Sequence, residues 1–194
     1  MPSVTAPSSR QSVVAIPLSD EERKSQTITN DHLAKAVSAM HRDGICVLEN
    51  AVNIGHTGIL NNILCAEAEE MAELPTTHFN DNSEDGNPTG NMSQGPPLQP
   101  ELMYSDIWAN GPAAAVLACM LGPQPQVNYV NGNTALGGFK GSRQRVHVDL
   151  TFNHAQFPFA IVANCYLADV SPANGSTELW IGSHRDTSVE MRRC

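Results

Sequence analysis

Apolar residues recur at helical spacing over the first two-thirds of the chain, and the pattern then changes to strand-like runs. Leu33, Ala36, Val37 and Met40 stand three or four apart up to HRDG at 41–44, with Thr29, Asn30 and Asp31 as N-cap candidates and Gly44 as a stop. ICVL at 45–48 reads as a short buried strand. GILNNILCAEAEEMAEL at 58–74 predicts a second amphipathic helix closed by Pro75, and a third, apolar helix follows over 112–121, with Pro112 suited to a first turn. Beyond LGPQP the period becomes that of strands: QVNYVNGNTAL (126–136), RVHVDLTF (145–152), FAIVANCYLAD (159–169) and TELWIG (177–182), with SPANGS at 171–176 as turn chemistry. Helices first and strands last predict an α+β fold, with helices packed outside a β-sandwich or barrel.

Two stretches stand outside this pattern. Residues 1–28, rich in Ser, Pro and charge, read as a disordered leader, which leaves 29–194 as the domain. Residues 75–100 form a long polar stretch, read as an active-site lid or a floppy insertion.

Composition narrows the class. With 194 residues, 41% hydrophobic and 16% charged, the chain is long enough for one domain with a core. A net charge of −9 without a basic stripe argues against nucleic acid as a partner. The longest apolar run, AAAVLACML at 113–121, is too short to span a membrane. Five cysteines without CxxC spacing (Cys46, Cys65, Cys119, Cys165 and Cys194) argue for reduced thiols and a cytoplasmic, intracellular setting. The N-terminus lacks the layout of a secretory signal, but its Ser and Arg without an acid before Asp20 leave an organelle open.

The candidate chemistry sits in RQRVHVDLTF, 143–152. In a strand, His147 and Asp149 share a face with Cα atoms roughly 6.5–7 Å apart, so an imidazole nitrogen and a carboxylate oxygen can converge on one metal. Val146, Val148 and Leu150 form the opposite, core-facing stripe. Two histidines and one carboxylate on one triangular face are the ligand set of non-haem Fe(II) oxygenases. HxD alone is also an ordinary surface pair.

The flanking residues carry a resemblance. GSRQRVHVDLTF followed by FAIVANCYLADVSPANGSTELWIGSHR resembles the phytanoyl-CoA dioxygenase family of Fe(II)- and 2-oxoglutarate-dependent oxygenases, in particular its fungal secondary-metabolism branch. DGICVLENAV (43–52) is similar to the family's opening helix, glycine and short strand, and NGSTELWIGSHR (174–185) to its Asn-Gly turn, strand and Gly-Ser-His loop. The resemblance covers roughly residues 30–190. It implies a double-stranded β-helix, or jelly roll, with N-terminal helices. It also implies His147 and Asp149 as the first two iron ligands and Gln144 as a residue that helps hold 2-oxoglutarate. Gln144 reads equally as a solvent-facing strand residue. Asn128 and Asn133 are further candidates for the pocket. His184 lies in the loop whose histidine, in the family, caps a turn and binds no metal. His154 falls at a strand end, and His32, His41, His56 and His78 read as solvated residues of helices and loop.

In the family the third iron ligand is a histidine on a strand well past the Gly-Ser-His loop, followed by an Arg that clamps the far carboxylate of 2-oxoglutarate. Here Cys194 stands ten residues after His184, so the expectation is a jelly roll incomplete at its C-terminus, with apolar faces such as FAIVANCYLA exposed. The expected function is C–H oxidation, such as hydroxylation, of a small-molecule metabolite. The expected partners are that substrate and, in a homo- or hetero-oligomer, a full-length homologue; no membrane is expected. The alternatives are a non-catalytic pseudo-oxygenase subunit, an inactive fragment, or a cupin-like binding protein, although cupins usually show HxH.

Overall fold

Hydrophobic alternation at the start of the chain builds an element ahead of the first expected helix. The structure is a computed structural model that describes residues 12–80, 83, 85–87, 89–137, 142–147, 149 and 158–185. Strand β1 (Ala15–Pro17) pairs in parallel with β2 (Val47–Glu49), with Ile16 opposite Leu48. Ile16 and Leu18 point inward and are almost fully buried, as the two-residue strand period requires. The leader expected over residues 1–28 is therefore corrected for 12–28, and residues 1–11 lie outside the described residues. The two inward side chains hold this segment to the core against the polar composition around them.

The crossover from β1 to β2 carries helices α1 (Asp20–Ser25) and α2 (Asn30–Asp43). A capping box opens α1: the Ser19 hydroxyl accepts the Glu22 amide while the Glu22 carboxylate accepts the Ser19 amide. The same carboxylate also accepts the Thr29 amide and meets His32 Nδ1 at 2.9 Å. Thr29 caps α2, and Gly44, at φ +77°, ends it in the left-handed conformation with its amide donated to Met40 O. Both α2 boundaries fall where the sequence predicts them.

Helix α3 (Ile54–Ala72) starts four residues before its predicted position because the Asn53 side chain caps it, accepting the Gly55 amide. It ends ahead of Pro75 as expected. A short α4 (Ser105–Trp108) precedes α5 (Gly111–Leu121), which Asn110 caps by accepting the Ala113 amide. Helix α5 packs on α2, and Val116 joins Ile16, Leu18 and Ala36 in the core, ringed by Val14, Ile28, Leu33, Val37, Met40 and Leu48.

The polar stretch at 75–100 holds two strands, so it is not simply an open loop. Strand β3 (Phe79–Asn80) pairs antiparallel with β4 (Asn91–Gln94), and β4 pairs antiparallel with β5 (Gly132–Ala135). Met92 is fully buried. Gln94, also buried, donates from Nε2 to Leu64 O and the Glu67 carboxylate and accepts from Thr134 Oγ1. Its amide is thus satisfied on both sides, as burial demands, and pins the sheet to α3.

None of the four long strands predicted after residue 125 is found at full length among the described residues. Of 126–136 only Gly132–Ala135 pairs, and no ladder appears over 158–169 or 176–182 among the described residues. In the 145–152 run Gln144 makes an isolated antiparallel bridge to Ser83, while Val148 and 150–152 lie outside the described residues. The reason is physical: alternation marks a segment fit to pair, but a ladder exists only where a second backbone completes it. The described architecture is mixed helix and strand with two small open sheets. Apolar side chains in these runs are left exposed, Val162 and Tyr166 in one, Leu179 and Trp180 in another.

Two predictions follow from the packing around α1. A Cβ at Gly111 would lie 1.9 Å from Gln26 O. Helix propensity alone would make Gly111→Ala stabilising by up to about 1 kcal/mol. The collision reverses the sign, and the substitution is expected to cost about 1–3 kcal/mol, lowering Tm by about 2–4 °C per kcal/mol in a chain of this size. A Tm at or above wild type in a thermal melt would contradict the contact.

The second concerns acid. Hydrogen bonds from the Ser19 and then the Thr29 amide hold the Glu22 carboxyl down from 4.5 to about 2. A depressed carboxyl stabilises the fold above its unfolded value and loses that contribution as pH falls through its folded value. Glu22→Gln is expected to lower Tm at neutral pH, and the deficit should shrink between pH 4.5 and about 2. Thermal melts across that range check it; a pH-independent deficit would rule out the charge as the cause.

Candidate functional site

The segment that carries the predicted metal pair is fixed at its start. The Ser83–Gln144 bridge ties it to the connection between β3 and β4. The Ser142 hydroxyl donates to Asp85 Oδ2 at 2.5 Å, and Arg143 pairs with Glu178 at 2.8 Å. Hydrogen bonds, first from Ser142 and then from Asn87, hold the Asp85 carboxyl well below the usual carboxylate range.

His147 and Asp149 converge, although neither lies in a strand among the described residues. Nε2 of His147 lies 3.5 Å from Asp149 Oδ1, and Nδ1 lies 2.7 Å from Arg145 O. A carbonyl oxygen can only accept, so Nδ1 is the donor and the neutral ring presents a bare Nε2 lone pair. Locking one imidazole nitrogen on a carbonyl so that the other is free is the arrangement of metal-ligating histidines. That lone pair faces a carboxylate oxygen, another acceptor, so a cation between them would be bound by both. For bonds of about 2.1 Å, two ligands on one metal stand about 3.0 Å apart at a right angle and about 3.4 Å apart at a tetrahedral angle. The observed separation is close to this range. Both side chains reach solvent, at 38% and 75% exposure, so a small ion has access. The residues present thus fit two ligand positions of a non-haem Fe(II) centre. Among the described residues no third His, Cys, Asp or Glu joins them.

The other sequence candidates separate. Gln144 is half-buried at the Ser83 bridge, three residues before His147. Asn133 lies on β5 opposite Ser93, and Asn128 is exposed outside the strands. Both have exposed side chains, and the described contacts do not bring them to the pair. His154 lies outside the described residues.

His184 is engaged elsewhere. A Cβ at Gly44 would lie 2.3 Å from His184 Nδ1, so the ring rests against the glycine that ends α2. The Gly182 amide donates to Asp43 O, and the Arg185 guanidinium donates to His41 O. Cationic side chains at a helix C-terminus complement its dipole. Arg42, hydrogen-bonded through two nitrogens to Asp43, holds that carboxyl below its ordinary range, and His184 adds to the effect. Gly44 is thus required twice, for its left-handed backbone and for the approach of His184.

Two histidines expected to be merely solvated have carboxylate partners. His32 meets Glu22, and His56 Nδ1 lies 2.8 Å from Asp106 Oδ1 while its ring stacks on Tyr104 at 3.9 Å. Asp106 is buried and also accepts the Asn53 amide, which joins α4 to the start of α3. Neither pair has a local spacing signal, since the partners are 10 and 50 residues apart.

No known family model matches this sequence. Among the described residues no helix is long and apolar enough to cross a membrane. Cys46, Cys65, Cys119 and Cys165 are all free thiols.

The His147 geometry predicts its tautomer. In a long-range 1H–15N spectrum of the metal-free protein, the neutral ring of His147 is expected as the Nδ1–H form. An Nε2–H signal for His147 would remove the bare lone pair on which the ligand geometry rests.

Proposed function

We propose that the protein is an Fe(II)- and 2-oxoglutarate-dependent oxygenase of the phytanoyl-CoA dioxygenase type, acting on a small-molecule metabolite of secondary metabolism in a reducing, intracellular compartment. The observation that carries the reading is the convergence of His147 Nε2 and Asp149 Oδ1, with His147 Nδ1 held on Arg145 O. His147 and Asp149 would hold the iron, and the Gln144 amide would donate to the cosubstrate carboxylate. Bound iron with 2-oxoglutarate supplies oxygen activation for oxidising an unactivated C–H bond. The chain's own part is binding, orientation and exclusion of water. In this reading residues 75–100, which the Ser83 bridge ties to Gln144, would serve as the lid. The reading carries with it a jelly roll completed by strands beyond those described, and a third imidazole and a cosubstrate-clamping arginine from outside the described residues.

A second reading has its own support. Val162, Tyr166, Leu179 and Trp180 present exposed apolar surface on extended segments, the kind of surface that a partner chain covers. In that reading the chain is a non-catalytic subunit paired with a full-length homologue.

The experiment is an anaerobic titration of the purified chain with Fe(II) and 2-oxoglutarate, read by the weak visible charge-transfer band of the chelate. The expected result is a band whose Fe(II) affinity falls at least about tenfold in His147→Ala and in Asp149→Ala, the floor set by losses seen for outer-sphere changes alone. A folded protein with no band would favour the non-catalytic subunit.

A further inference from the structure

The connection between β3 and β4 holds the segment that leads to His147. Asp85 accepts hydrogen bonds from the Ser142 hydroxyl and from both the amide and the side chain of Asn87. The neighbouring Ser83 is buried, donates to Asn87 O, and forms the bridge to Gln144. The loop is thus cross-braced within itself and grips residues 142 and 144 from one side. No other backbone ladder holds 142–147 among the described residues. The attachments upstream of His147 are the Gln144 bridge, the Ser142–Asp85 bond and the exposed Arg143–Glu178 pair, and the first two come from this loop.

We propose that Asp85 is a positioning residue for the metal-binding segment: through Ser142 it fixes residues 142–147 so that His147 keeps Nδ1 on Arg145 O and turns Nε2 toward Asp149. This rests on the reading of His147 and Asp149 as ligands, and it names a residue 62 and 64 positions away as the one that sets their geometry. Hydrogen bonds from Ser142 and then Asn87 stabilise the anion. Its bonds are thus of the stronger, charge-assisted kind. A ligand misplaced by about 1 Å is enough to spoil a site of this type.

The test compares Asp85→Ala, Asp85→Asn and Ser142→Ala with wild type. Without metal, amide exchange over 142–147 is expected to speed up at least about tenfold in Asp85→Ala and Ser142→Ala, with exchange over 47–49 unchanged as the control for the core. The Nδ1–H signal of His147 should be lost in the same two variants. Asp85→Asn, which keeps one accepting oxygen, should restore both in part. In a Co(II) titration the two variants should lose about tenfold in affinity, the range for residues that orient a ligand. Unchanged exchange and an unchanged His147 signal in Asp85→Ala would overturn the proposal. So would a loosened segment with undiminished Co(II) affinity. If wild type takes up no Co(II), the ligand reading fails by itself, and the exchange and His147 signals still decide whether Asp85 sets the geometry of the segment.

Discussion

The burial of Ile16 and Leu18 is the constraint on which the helical half depends. A two-stranded parallel sheet has little stability of its own, and β1 contributes only three residues to it. What holds β1 is the pair of side chains it inserts between β2, α2 and α5, each withdrawal from water being worth about 1.5–3 kcal/mol. Once β1 is seated, the chain must cross over to reach β2, and the capped α1 and α2 fill that crossover. Gln26, at the end of α1, then reaches α5: its side-chain oxygen accepts the Gly111 amide, and its backbone carbonyl occupies the space that a Cβ at Gly111 would need. One short polar-looking segment therefore sets the relative placement of three helices.

A second set of contacts leads from that half to the candidate site. Gln94 joins α3 to the β3–β4–β5 sheet, and the connection between β3 and β4 reaches Gln144 and Ser142. The Gly-Ser-His loop returns separately to the end of α2, where His184 rests on Gly44. His147 and Asp149 on one side and His184 on the other thus answer to different parts of the molecule.

Three histidine–carboxylate pairs occur among the described residues, and their geometry differs. Glu22 and Asp106 are buried, also accept backbone amides, and meet their histidines at 2.9 and 2.8 Å. Those pairs are closed hydrogen bonds that leave the carboxylate little to offer an incoming ion. His147 and Asp149 stand 3.5 Å apart, the imidazole is locked by a carbonyl on its far side, and both reach solvent. Only this pair combines an oriented lone pair with an open carboxylate. Spacing in the sequence marks this pair alone of the three, since the partners in the other two lie 10 and 50 residues apart.

Local signals were sufficient wherever one segment decides its own structure. Thr29 and Gly44 bound α2, Pro75 lies beyond α3, and ICVL leads into β2, all because caps, breakers and helical periodicity act within a few residues. The i, i+2 spacing of His147 and Asp149 was legible for the same reason. What the sequence could not supply was pairing: alternation over 126–136, 145–152 and 159–169 marks segments fit for a sheet, but the partner backbone is chosen at long range. Nor could composition show that Ile16 and Leu18 seat a segment rich in polar residues, that Glu22 and Asp106 capture histidines, or that Asp85 grips Ser142. The hydrogen bonds among those contacts join residues up to 57 positions apart, and the core cluster joins Ile16 to Val116; only the tertiary structure, by bringing them together, decided them.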